Sequence, residues 1–127
     1  MALAIRKPGK LRQLKIDTPE GQAGFQAGRL IKGAVYTASG ATINVMMCYG
    51  WQGAYHDPEK ARRTDALILG ARLEERTCSR TPTIITGDLN AKLQNLATLQ
   101  ELLQSGDWID VGAQMSLHRP WRLEPRV

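Results

Sequence analysis

Four consecutive residues, Gly87-Asp88-Leu89-Asn90, combine the side-chain types that can steer a water molecule. They follow Thr83-Ile84-Ile85-Thr86, a β-branched run that predicts a strand. The glycine permits a tight exit from that strand. In extended chain, residues two positions apart point the same way, so Asp88 and Asn90 would share a face. A carboxylate that only accepts, beside an amide that donates and accepts, suits a bound water. Asp88 can take the proton of that water while Asn90 fixes its orientation. The same four residues also suit an Asx-type turn that merely ends the strand. On the tetrapeptide alone both readings stand.

Other site-forming patterns are missing. The chain has no phosphate-binding G-x-x-x-x-G-K-[ST] loop, no G-x-G-x-x-G, no H-E-x-x-H and no G-x-S-x-G elbow. His56 and His118 are isolated, the first read as a solvated loop residue and the second as a tail histidine.

The elements that must hold Asp88 and Asn90 follow from patterning. Leu3-Ala4-Ile5 suits a short first strand stopped by Pro8-Gly9. Residues 17–28, punctuated by Pro19, Gly21, Gly24 and Gly28, read as a loop. Leu30 to Thr37 and Thr42 to Cys48 read as strands joined by a turn at Ser39-Gly40. The unbroken apolar character of Ile43 to Cys48 suits a strand covered on both faces. An aromatic and glycine-rich loop follows, from Tyr49 to Pro58. Asp57 as N-cap and Pro58 in the first turn start a helix running to about Thr77. Its inner face is Ala61, Thr64, Leu67, Ile68 and Ala71, with Arg62, Asp65, Glu74 and Arg76 looking outward. After the strand at 83–86, Asn95 suits the cap of a Leu-rich helix carrying Leu96, Leu99, Leu102 and Leu103 and ending near Gly106. Trp108 to Val111 suits a last short strand, and Ser116 to Val127 an irregular tail. Helices alternating with strands mean α/β.

In this order, a strand ending in Val45-Met46-Met47-Cys48-Tyr49-Gly50, an aromatic loop, a helix with Arg63 near its start, and then Gly87-Asp88-Leu89-Asn90 resemble the endonuclease/exonuclease/phosphatase superfamily. Leu3-Ala4-Ile5-Arg6 and Gly28-Arg29-Leu30-Ile31 look like two of its earlier strands, so the resemblance spans about residues 2–112 and leaves 113–127 as a tail. The resemblance implies part of a four-layered α/β sandwich, two β-sheets flanked by helices, and hydrolysis of phosphodiester or phosphomonoester bonds by in-line attack of water. It assigns Asp88 to align or deprotonate the water, Asn90 to orient it, and Tyr49 to bond a phosphate oxygen. It further implies a Mg2+ or Mn2+ ion at Asp88 and Asn90, acting as a Lewis acid. Trp51, Tyr55 and Arg62 suit a substrate groove or the packing of the loop on its helix. The superfamily's upstream Asn and Glu, and its downstream Asp-His pair, have no counterpart here. The expectation is an incomplete catalytic set with little activity alone. It includes a bare apolar sheet face prone to self-association.

Composition bounds the alternatives. The chain has 127 residues, 43% of them apolar, which allows one ordinary domain. No apolar run reaches the roughly 20 residues of a membrane-spanning helix, so no membrane partner is expected. Two cysteines, Cys48 and Cys78, read as reduced thiols in an intracellular setting, cytoplasm or nucleus. The net charge is +5, and basic residues gather at the start: Arg6, Lys7, Lys10, Arg12 and Lys15, then Arg29 and Lys32. A non-catalytic basic module that binds nucleic acid through these residues is the rival reading. An inactive truncated gene product is the third.

Overall fold

The computed structural model describes residues 2–78 and 80–112. It is a mixed α/β fold with one four-stranded sheet and three helices. The strands β1 (Lys10–Gln13), β2 (Leu30–Tyr36), β3 (Thr42–Tyr49) and β4 (Thr83–Asp88) lie side by side in chain order. The β1–β2 and β2–β3 pairs are antiparallel and β3–β4 is parallel. The helices are α1 (Pro19–Gln26), α2 (Pro58–Arg76) and α3 (Ala97–Gln104), and a 3-10 turn covers Leu93–Asn95.

The β2–β3 hairpin forms where the two apolar runs predict it, with Gly40 at φ 89° in the turn. Helix α2 also starts as its sequence demands: the Asp57 side chain accepts from the Glu59 N–H at 2.9 Å, and Pro58 fills the first turn. Ala61, Thr64, Leu67, Ile68 and Ala71 are all buried. Leu67 and Ala71 join Leu30, Met46, Cys48 and Ile16 in one core. Ile68 joins Leu96 and Leu102 in a second, against which Leu99 and Trp108 pack. Burial of the Cys48 thiol pushes its pKa up to about 12, so it remains protonated and inert. Both cysteines are free.

Four expectations about secondary structure need correction. Among the described residues Leu3-Ala4-Ile5 pairs with no strand; the first strand is Lys10–Gln13, and Leu3 instead lies over Gly33, its Cδ2 3.6 Å from where a Gly33 Cβ would stand. Residues 19–26 are helix, not loop. Thr18 caps it, accepting from the Gly21 N–H at 3.1 Å, and Pro19 opens the first turn. Its glycines permit contact: a Cβ on Gly24 would meet Leu30 Cβ at 2.9 Å. Asn95 does not cap α3, because it sits inside the 3-10 turn. The cap comes from α2, where Asp65 accepts from the Thr98 N–H at 2.9 Å and the Thr98 hydroxyl at 2.8 Å. Trp108 to Val111 is not a strand; Trp108 is half-buried against the second core.

The largest departure is Glu74. It is fully buried rather than outward-facing, 2.9 Å from the Lys32 ammonium, itself 4% exposed. The Glu74 carboxylate also accepts from the Asp17 N–H (3.0 Å), the Thr18 N–H (2.8 Å) and the Thr18 hydroxyl (2.6 Å). It therefore ties the start of α1 to the end of α2.

Strand parity defines two sheet faces. Leu30, Met46 and Cys48 face the helices. The opposite face carries Leu11, Ile31, Val35, Ile43, Met47 and Ile84, of which Ile84 is 49% exposed and Leu11 36%. This second face has no helix across it among the described residues. Residues 113–127, with His118 and the expected tail, lie outside the described residues.

Candidate functional site

The parallel β3–β4 ladder brings the ends of its strands together. Tyr49 and Asp88 are register partners at the last rung. Parity places both on the face away from the helices, at the carboxyl ends of parallel strands, where open α/β sheets place their ligands. Both side chains reach solvent.

Two glycines make the junction possible. A Cβ on Gly87, whose φ is 140°, would stand 1.8 Å from the Cys48 carbonyl oxygen. A Cβ on Gly50 would stand 2.0 Å from the Leu89 carbonyl oxygen. The Gly50 N–H donates to the Asp88 carbonyl at 2.7 Å, so the two chain segments touch backbone to backbone.

Beyond Asp88 the chain is no longer extended. Asn90 has φ 52°, and its N–H donates to Asp88 Oδ1 at 3.1 Å. This is the Asx-type turn, and it replaces the extended alternation by which the two side chains were expected to share a face. The pair still lines one cleft. Asn90 Nδ2 donates back to the Gly50 carbonyl at 3.2 Å, which fixes the amide plane. Asp88 Oδ2 has no protein donor among the described residues.

The cleft measures about 700 Å³ and runs between residues 87–91 on one wall and Gln52, Gly53, Tyr55 and His56 on the other. His56, expected only as a solvated loop residue, lines it and meets the Tyr55 ring edge-on at 5.1 Å. The Lys92 ammonium lies over Tyr55, 4.7 Å from the ring centre. Tyr49 lies beside this cleft, on the rung shared with Asp88, rather than in its wall.

The two residues expected to bind substrate are placed differently. The Trp51 face is taken by Arg29, whose guanidinium sits 3.8 Å from the ring centre, with Arg63 at 5.5 Å. The Trp51 N–H donates to the Thr64 hydroxyl at 2.9 Å, so Trp51 packs the loop onto α2. Arg62 lines an adjoining groove with Asp57, Asp65 and Asn95, which meets the cleft at Tyr55 and His56, and it pairs with Glu59. Neither belongs to the cleft of Asp88 and Asn90.

Arg29, which the sequence marks only as part of an early strand and of the basic run, is a positioning residue. Its guanidinium donates to the Tyr49 carbonyl at 3.2 Å and the Gly50 carbonyl at 2.8 Å. It holds the exit of β3 in place. The basic run that suggested a nucleic-acid module thus loses Arg29 to this brace and Lys32 to the buried pair with Glu74. Only Arg6, Lys7, Lys10, Arg12 and Lys15 of that run stay exposed.

The donors do not fit a hard divalent cation, which takes six or more oxygens and usually several carboxylates. Asp88 supplies one carboxylate, partly spent on the Asn90 N–H, and no group of three His, Cys, Asp or Glu side chains converges among the described residues. No helix among those residues is long and apolar enough to cross a membrane.

No protein-family model, curated protein or solved structure matches the chain.

Proposed function

We propose that the chain carries the water-steering portion of a phosphoester hydrolase site, as part of an incomplete four-layered sandwich of the endonuclease/exonuclease/phosphatase type. The observation that supports this most is the shared last rung of Tyr49 and Asp88, with Asn90 held against Gly50 beside them. In this reading the open oxygen of Asp88 accepts a proton from water. The anchored Asn90 amide orients that water, and the Tyr49 hydroxyl donates to a phosphate oxygen. A magnesium or manganese ion belongs to the reading only with ligands beyond Asp88 and Asn90, so activity of this chain alone is expected to be slow. The open apolar sheet face, with Ile84 and Leu11, is the surface such a fragment would use to associate with itself.

Hydrolysis of bis(p-nitrophenyl) phosphate and p-nitrophenyl phosphate, with and without magnesium, tests the assignment. Slow turnover is expected, reduced at least about a hundredfold by Asp88→Asn, because a positioned general base contributes that much. Turnover unchanged in Asp88→Asn, or none above background, refutes it.

A further inference from the structure

The charges around the cleft point away from cation binding. Among the described residues, Asp88 is the one carboxylate that lines it. Every neighbouring acid is engaged elsewhere. Asp57 caps α2, Asp65 caps α3, and Glu59 pairs with Arg62 and Arg63. The cations differ. Lys92 leans on Tyr55, and Lys60 Nζ lies 3.2 Å from where a Gly53 Cβ would stand, so both lysines stand at the rim of the cleft, against its lining residues Tyr55 and Gly53 rather than in the wall itself. Neither lysine is ion-paired among the described residues. His56 lines the same wall.

We infer that this cleft binds a phosphate oxyanion directly, through Lys60, Lys92 and His56, without a divalent cation. Gly53, at φ 89°, gives the loop its turn beside Lys60, where a side chain would crowd the ammonium. The Tyr55 ring positions Lys92 by cation–π contact. Two ammonium groups set against one carboxylate leave net positive charge for the ligand. The inference rests on the hydrolase reading only for the choice of phosphate as ligand chemistry; the binding it describes needs no turnover.

The test is a titration of the full chain with inorganic phosphate in EDTA, followed by amide NMR shifts, with dimethyl phosphate run in parallel. Saturable shifts confined to residues 52–56 and 87–92 are expected. Lys60→Ala with Lys92→Ala should weaken binding at least about tenfold, and Lys92→Gln, which keeps a polar stem on Tyr55, should weaken it by a smaller factor. Asp88→Asn should tighten binding severalfold, since it removes the like charge. Preference for inorganic phosphate marks a monoester site, and equal binding of the two marks a diester site. No saturable shift, unchanged binding in the double variant, or binding that appears only with magnesium overturns the inference. Loss of turnover in Asp88→Asn with tighter phosphate binding separates the fate of this inference from that of the hydrolase reading.

Discussion

The Glu74 carboxylate and the Lys32 ammonium meet at 2.9 Å between the sheet and α2, with neither side chain more than 4% exposed. Desolvation alone would raise the Glu74 pKa, but bonds from the Thr18 hydroxyl, the Asp17 N–H, Lys32 and the Thr18 N–H outweigh it and bring the carboxyl down to about 2. For Lys32, burial acts to lower the pKa, while the bond and the charge of Glu74 raise it above its usual 10.5.

This pair makes stability depend on pH at both extremes. A folded pKa near 2 against 4.5 unfolded gives about 3 kcal/mol, present above pH 4.5 and lost as pH falls toward 2. The raised Lys32 contributes below pH 10.5 and loses its share as pH rises through its folded value. Both shifts describe one contact, so they are not summed. Glu74→Gln should cost about 3–5 kcal/mol in urea unfolding at pH 7, as removal of one partner from a buried pair does, and should flatten the acid limb. The double variant Lys32→Met with Glu74→Leu should recover only part of that loss. It removes the stranded charge but leaves the Asp17 and Thr18 N–H groups without an acceptor.

Gly87 and Gly50 should tolerate no side chain. At Gly87 a Cβ would stand 1.8 Å from the Cys48 carbonyl oxygen, and at Gly50 2.0 Å from that of Leu89. Both obstacles are backbone, so relief requires parting β3 from β4. Gly87→Ala and Gly50→Ala should each cost more than about 3 kcal/mol, whereas Gly40→Ala, at φ 89° with open space around it, should cost about 1 kcal/mol. Thermal unfolding of the three variants side by side checks the order. Equal losses would mean that backbone conformation, not the clash, sets the cost.

The Asp65–Thr98 contact should anchor α3. Asp65 accepts from both the N–H and the hydroxyl of Thr98, in place of a local cap. Asp65→Ala should destabilise the fold by about 1–2 kcal/mol and raise amide exchange chiefly over Ala97–Gln104. Asn95→Ala should do neither, since Asn95 makes no cap bond.

Much of the scaffold is legible from local chemistry. The hairpin, the Asp57–Pro58 start of α2 and its buried stripe follow from residue types alone. Helix α1 is hidden because its glycines look like breakers, although Thr18-Pro19-Glu20 is a helix-start signature. Gly21 and Gly24 are buried and small because α1 lies against Ile16, Leu30 and Leu67. Glu74 is hidden for a related reason. No helical wheel shows that the lysine at the third position of β2, and the threonine that caps α1, will converge on one carboxylate. At the site, the contact of Asp88 with Asn90 was legible, but the turn geometry that makes it was only one of two readings. The Arg29 brace on Tyr49 and Gly50 joins residues far apart in the chain, and nothing local in the sequence marks it.

The single parallel pairing has a kinetic consequence. The antiparallel β2–β3 hairpin closes over a few residues, but the rung joining Tyr49 to Asp88 cannot form until the whole segment between them, α2 included, has folded back. Among the pairings of the sheet this one closes the longest stretch of chain and so carries the largest loop-closure cost. The mouth of the cleft should therefore be the last part of the sheet to close, with the Gly50–Asp88 backbone bond as its latch.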